Sequence, residues 1–186
     1  MIEPMPSHWV WTRRTLLQVL AIGSVTLLGT PTTGLARPLP GGHLKLYNVW
    51  SNERLNVTYR NAAGRYDLTA LDEINHLLRC HTGEVGSMDV RVLEYVNLVQ
   101  MTLAKPGPIH IISGFRSPKY NAMLVRAEPH AAKHSLHMQG KAIDLKIPGV
   151  QAKQLRQAAL ELQYGGVGSY KRSSYVHLDS GPFRFW

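Results

Sequence analysis

The sequence predicts an α+β fold with a small, mostly antiparallel sheet and flanking helices. Residues 44–60 alternate apolar and polar side chains around a polar turn, the mark of a β-hairpin. Three later segments carry apolar residues at helical spacing, and short β-prone runs lie between and after them. The hydrophobic fraction of 44% is enough to bury a core and too high for a disordered chain, and 186 residues suit one globular domain.

The first 36 residues stand apart from that domain. Thr12-Arg13-Arg14-Thr15-Leu16-Leu17 leads into an uncharged apolar run ending at Leu28, and Gly34-Leu35-Ala36 supplies small residues for cleavage. This order of charged, apolar and small residues is that of an export signal, and Arg13-Arg14 resembles the twin-arginine variety. The run from Leu16 to Leu28 is shorter than the roughly 20 residues that span a bilayer, so no membrane span is expected to remain after cleavage at Ala36. The expected location is the periplasm or cell envelope.

Arg37 to the start of the hairpin, residues 37–43, reads as a Pro- and Gly-containing tether, and residues 44–186 as the domain. Leu44–Val49 and Leu55–Arg60 form the hairpin strands around Asn52-Glu53-Arg54. Thr69 is the expected cap of a helix with Leu71, Ile74, Leu77 and Leu78 inward. Asp89 caps the next, which buries Val92, Leu93, Val96, Leu98 and Val99 and stops before Pro106-Gly107-Pro108. Ile109–Ser113 is a buried strand by its β-branched content. Gly114–Pro118 turns the chain into a short helix from about Lys119 to Val125, followed by a polar loop from Arg126 to His134. Lys141–Ile147 is a strand and Gln151–Leu162 a helix with Leu155, Ala158, Ala159 and Leu162 inward. Residues 165–170 and 175–179 close the chain as a hairpin.

The chain carries a net charge of +9, which becomes +8 without Arg13, Arg14 and Glu3. An exported basic protein favours anionic partners such as wall polymers or lipid headgroups. Nucleic acid is not expected, because the basic residues are scattered without interleaved aromatics. Cys80 is the lone cysteine, so no intramolecular disulfide forms, and a buried inert thiol is expected.

Chemistry concentrates in two segments, Ser135–Asp144 and Tyr175–Asp179. Asp144 lies between Ile143 and Leu145. Either it faces solvent on the polar side of its strand with Lys141 as a loose partner, or it is buried and must be paired or bind a cation. His177 shares a strand face with Tyr175 and Asp179, which fits an ordinary surface pair as well as a ligand oriented by its neighbour. His134 and His137 are spaced to share a metal only on a helix, which Ser135 and Gly140 disfavour. His76, His81, His110 and His130 have no ligand partner nearby.

Ser135-x-His137-x-x-Gly140-x-Ala142-x-Asp144 resembles the signature of the zinc peptidases that include the D-alanyl-D-alanine carboxypeptidases and dipeptidases, lysostaphin-type enzymes and hedgehog-type domains. The closer likeness is to the murein endopeptidase K group. It rests on Ser113-Gly114-Phe115-Arg116-Ser117-Pro118 with Asn121, on Gly165–Tyr170, and on Val176-His177-Leu178-Asp179-Ser180-Gly181-Pro182-x-Arg184-x-Trp186. The resemblance implies a hedgehog/D-Ala-D-Ala-peptidase-like fold and one zinc ion per chain, held by His137, Asp144 and His177. It implies zinc-activated water as the nucleophile and Arg116 near the substrate carbonyl or carboxylate. The relatives' acid three residues before the last histidine is Ser174 here, and the first histidine of a His-x-His pair is Tyr175. Asp179 is therefore the candidate base or supporting carboxylate, with His134 as the fallback. The implied activity is endopeptidase cleavage of peptidoglycan peptide crosslinks. A D,D- or L,D-carboxypeptidase acting on stem peptides, or a non-catalytic zinc-containing wall-binding module, are the alternatives.

Overall fold

A computed structural model of the chain describes residues 41–128, 131–170 and 173–186. The expected export signal, most of the tether and His130 lie outside these residues. Among them, seven strands form one sheet in the order β2-β1-β3-β4-β6-β5-β7. The strands are β1 (Gly42–Asn48), β2 (Arg54–Arg60), β3 (Ile109–Ser113), β4 (Ala142–Lys146), β5 (Gly166–Ser169), β6 (Val176–Asp179) and β7 (Arg184–Phe185). Four strand pairs are antiparallel; β1–β3 and β5–β7 are parallel. The fold is the expected α+β class.

Four α-helices accompany the sheet: α1 (Leu68–Leu77), α2 (Val90–Leu103), α3 (Pro118–Ala127) and α4 (Ala152–Leu162). Asp67, rather than Thr69, caps α1: its carboxylate accepts from Ala70 N at 3.2 Å, which starts the helix before Thr69 is reached. Leu71 consequently stays half-buried while Ala70, Ile74 and Leu77 turn inward. Asp89 caps α2 as its position suggests, accepting from Arg91 N, and Ala104 ends it in the left-handed region ahead of Pro106. Ser117 Oγ accepts from Tyr120 N and Pro118 takes the first position of α3, where a missing N–H costs nothing. β1 begins at Gly42, so the strand reaches two residues into the expected tether.

One face of the sheet is apolar. Leu44 and Leu46 of β1, Ile109 and Ile111 of β3, Ile143 and Leu145 of β4, Val176 and Leu178 of β6 and Val167 of β5 form a single core with α1, α2 and α4. Each fully buried aliphatic side chain of this set contributes on the order of 1.5–3 kcal/mol of transfer free energy. Tyr95 of α2 ties the helical layer together, donating from its buried hydroxyl to Ala159 O of α4 at 2.9 Å. α3 supplies no residue to this core.

The period-two alternation of the strands puts polar residues on the opposite face, and the register lines them up. Ser113 of β3 pairs with Asp144 of β4, Asp144 with His177 of β6, and His177 with Gly168 of β5. The next row holds Ala142, Asp179 and Gly166. The register, in itself a consequence of burying the apolar face, therefore delivers Asp144 and His177 side by side.

Candidate metal centre

The third member of the cluster arrives from outside the sheet. Leu136–Gln139 forms a single turn of 3-10 helix capped by Ser135, whose Oγ accepts from His137 N at 3.3 Å. Gly140 closes the turn with φ of 64°, in the left-handed region, and its main chain packs on that of Ser87 too closely for any side chain. The turn presents His137 to the polar sheet face. His137, Asp144 and His177 are 1%, 2% and 7% exposed, and one ligand atom from each lies within 4.8 Å of the others. Asp144 thus takes the buried alternative, not the solvent-facing one with Lys141.

Hydrogen bonds outside the cluster orient both rings. His137 Nδ1 lies 2.8 Å from the carbonyl oxygen of Gly114, a partner that can only accept, so Nδ1 carries the proton and Nε2 turns its lone pair inward. His177 Nε2 lies 3.1 Å from Asp179 Oδ2, which leaves Nδ1 facing the centre. The three inward atoms are separated by 3.2 Å (His137 Nε2 to His177 Nδ1), 2.9 Å (His177 Nδ1 to Asp144 Oδ1) and 3.3 Å (His137 Nε2 to Asp144 Oδ1). Tetrahedral ligands at the usual zinc–nitrogen and zinc–oxygen lengths lie about 3.3 Å apart. Three converging lone pairs with this spacing fit a small divalent cation.

Burial pushes the His137 imidazole down, against the pull of Asp144, and favours the neutral form that ligation needs. Burial also lowers His177, but its bonds to Asp144 and Asp179 outweigh that and raise it. Burial pushes the Asp144 carboxyl up, yet the charge and hydrogen bonds of His137 and His177 hold it well below the ordinary range, so it stays ionised.

Arg116 reaches the same carboxylate from the turn after β3. Its Nη2 donates to Asp144 Oδ2 at 2.5 Å and its Nε to Ser113 Oγ at 2.9 Å, while its main-chain N donates to His137 O. Asp144 therefore presents Oδ1 to the centre and Oδ2 to the guanidinium. Nη1 has no protein partner among the described residues, and the side chain is 19% exposed.

Asp179 is fully buried behind His177. Its Oδ2 accepts from His177 Nε2 and from Arg184 Nη2 at 2.9 Å; its Oδ1 accepts from Gly181 N at 2.9 Å and Arg184 Nη1 at 3.0 Å. Burial raises this carboxyl, but these bonds outweigh it and bring it down to about 2. Gly166 makes room: a Cβ there would lie 2.2 Å from Asp179 Oδ2. Arg184 belongs to the terminal motif, but the sequence alone gives it no role; the structure makes it the partner of Asp179. Its signal is an acid and an arginine five residues apart across Gly181-Pro182, a spacing that lets a turn fold one onto the other.

The remaining histidines of the described residues do not join the cluster. His134 occupies an exposed turn before the 3-10 helix, and the helical His134–His137 arrangement does not form. His81 packs against Trp50 and Tyr120, with Nδ1 2.6 Å from the Tyr120 hydroxyl; His110 packs edge-on against Tyr47. Ser174 is exposed, and no acid joins the three ligand residues from that side among the described residues. Cys80 is buried, with its sulfur near Ser117 and Thr82. No helix of the described residues is long and apolar enough to cross a membrane.

Residues 40–186 match the family described as peptidoglycan L,D-endopeptidase MepK. The chain belongs to this family. The MepK family lies within the wider group of D-Ala-D-Ala-carboxypeptidase-like peptidases that the sequence motifs resemble. The chain is 34% identical over 175 residues to the peptidoglycan L,D-endopeptidase MepK of Escherichia coli K12, an alignment covering 91% of this chain and 95% of that one. It is 33% identical over 169 residues to the probable peptidoglycan L,D-endopeptidase MepK of Haemophilus influenzae, covering 90% of each. The match to the MepK family takes in the 3-10 turn, β4 and β6, and so every residue of the cluster.

Proposed function

We propose that this chain is an exported zinc-dependent endopeptidase that hydrolyses L,D-amide bonds in peptidoglycan peptide crosslinks. The observation that carries this reading is the convergence of His137 Nε2, Asp144 Oδ1 and His177 Nδ1 at ligand spacing, on a chain that belongs to the MepK family. The bond specificity rests on the names of the relatives, and export rests on Arg13-Arg14, the apolar run and Ala36.

His137, Asp144 and His177 would hold one zinc ion, which when bound supplies a Lewis acid for the amide carbonyl and acidifies water to a pKa of about 7. Two neutral imidazoles and one carboxylate leave such a site with net positive charge. Arg116 has two roles. Nη2 neutralises the outer oxygen of Asp144, and Nη1, which has no protein partner among the described residues, is available to the oxyanion that develops as the amide is attacked. Of the two roles open to Asp179, support of a ligand suits the geometry better. Both oxygens are committed, and the carboxylate touches the outer nitrogen of His177, not the inner one. Burial of the centre on one side by the sheet limits water to the open face and strengthens each of these interactions.

Digestion of purified murein sacculi by residues 37–186, with and without chelator, tests the reading. The expected result is zinc-dependent conversion of crosslinked muropeptide dimers to monomers, with product masses that locate the cut at an L,D bond and no product from His137→Ala. Tight binding to sacculi without product would instead support a wall-binding module.

A further inference from the structure

The row of the sheet that carries the centre ends in a small residue on each side. Ser113, Asp144, His177 and Gly168 lie side by side across β3, β4, β6 and β5. At one end the Ser113 hydroxyl accepts from Arg116 Nε. At the other, Gly168 leaves its place to the indole of Trp186: a Cβ at Gly168 would lie 2.6 Å from Cε2 and Cζ2 and 3.0 Å from Nε1. Main-chain bonds fix Trp186 there, Ser169 N donating to Trp186 O at 3.1 Å and Trp186 N to Val167 O at 3.2 Å. Paired residues of neighbouring strands point to the same face, so the indole sits on the face where the ligand atoms converge. Its ring centroid is 5.3 Å from that of His177, with the planes 51° apart.

His177 needs support on that flank. Asp179 grips Nε2, which lies close to the Cβ–Cγ axis about which an imidazole turns. The inward Nδ1 lies farther from that axis and swings when the ring turns. The bond to Asp179 therefore fixes the tip of the ring better than its plane. His137 stands edge-on at 5.0 Å on the side of the centre, and Trp186 packs on the β5 side, so the ring is braced by two neighbours. The brace is tied back to Asp179. The guanidinium carbon of Arg184 lies 5.0 Å from the indole centroid, while its two terminal nitrogens bond the Asp179 carboxylate. His177, Asp179, Arg184 and Trp186 thus close a ring of contacts around one ligand.

We propose that Trp186, seated on Gly168, is a positioning residue of the metal centre, holding the plane of His177 so that Nδ1 meets the ion. The inference rests on the zinc reading above. Because Trp186 acts through His177, its loss reads first in the affinity and geometry of bound metal, and only through them in turnover.

Titrations of the protein with zinc and with cobalt(II) against a competing chelator test this, the visible bands of bound cobalt recording ligand geometry. Trp186→Ala is expected to weaken both ions about tenfold and to shift the cobalt bands. Gly168→Ala attacks the same contact from the other strand: Gly168 has no positive φ, and the three nearest neighbours of an added Cβ are all indole atoms. It should match Trp186→Ala, and Gly168→Ala/Trp186→Ala should lie within about twofold of either, because both changes remove one interaction. Phe185→Ala, at an exposed neighbour that faces Arg156, should keep the parental affinity and spectrum. At saturating zinc, Trp186→Ala should lower kcat on muropeptide dimers about three- to tenfold and leave KM within about twofold. Parental metal affinity and spectrum in Trp186→Ala, or a raised KM as its main effect, would overturn the inference and leave the zinc peptidase reading intact. Additive losses in the double variant, or an equal loss in Phe185→Ala, would mark a general effect of β7 packing and overturn it too. A parent protein that binds neither ion would overturn the zinc reading itself, and the inference with it.

Discussion

Alanine at position 140 probes how tightly the His137 turn is held. Gly140 has φ of 64°, a region that costs an L-residue about 1–2 kcal/mol. An added Cβ would also lie 2.0 Å from Ser87 O, 2.9 Å from Ser87 C and 3.1 Å from Met88 Cα, all of them main-chain atoms that cannot rotate away. Relief requires the turn and the segment before α2 to separate by about 1 Å, at an overpacking cost of roughly 1–3 kcal/mol. That movement strains the bonds from Asp89 N to Gly140 O at 2.9 Å and from Gly140 N to His137 O at 3.2 Å. The expected loss for Gly140→Ala is therefore about 2–5 kcal/mol. Gly64→Ala is the control: its φ is 80°, but nothing lies within 4 Å of the added carbon, so only the backbone cost of about 1–2 kcal/mol applies. Urea unfolding of the two variants gives the difference, and zinc titration against a competing chelator reads the turn directly. Displacing one ligand by a good fraction of an ångström should weaken zinc at least about tenfold in Gly140→Ala and leave Gly64→Ala unchanged. Equal stability losses in the two variants, with zinc affinity intact in both, would refute the reasoning.

The other expectations follow from contacts around the same framework. Asp179→Asn should weaken zinc about 10–100-fold and leave kcat at saturating zinc within about tenfold, as expected of a group that holds a ligand. A collapse of kcat by about 10²–10⁴ with normal zinc affinity would make Asp179 the base instead. Arg116→Lys keeps the charge but loses the fork between Ser113 Oγ and Asp144 Oδ2, so kcat on muropeptide dimers should fall about 10²-fold with zinc content nearly unchanged; full activity would remove Arg116 from the chemistry. Burial holds the Tyr95 phenol above its ordinary 10.0, so the folded state keeps a proton that the unfolded chain releases. That contribution is complete below about pH 10 and is lost as pH rises further. Tyr95→Phe should cost about 1 kcal/mol at pH 8, through the lost bond to Ala159 O, and show a smaller alkaline decline in its urea midpoint than the parent.

Much of this protein is settled by local chemistry that a sequence displays. The hairpin of β1 and β2, the buried run of β3 and the inward stripes of α2 and α4 follow from apolar periodicity, because burying one face is what each element must do. Asp89 announces its helix because a short acceptor before an apolar run reaches the free N–H groups of the first turn. The shift of the α1 cap from Thr69 to Asp67 is a choice between two competent acceptors two residues apart, which neighbouring packing makes and composition does not. β7 is two residues long and pairs in parallel with β5, so it carries no periodic signal of its own.

The cluster divides in the same way. The residue types and order of His137, Asp144 and His177 are written in the chain, and resemblance to zinc peptidases singles them out. Their convergence is a property of the register, which sets Asp144 opposite His177, and of the turn at Gly140, which carries His137 over the sheet. Lone, Asp144 is as compatible with solvent as with a cation; only burial beside two histidines and Arg116 decides between them. The role of Asp179 depends still more on tertiary structure, because which nitrogen of His177 it touches is a matter of ring orientation. The same holds for Arg184, which reaches Asp179 from β7. Sequence determined which groups are present and which faces must be buried; the fold decided which of those groups meet, because a metal site is defined by distances between residues far apart in the chain.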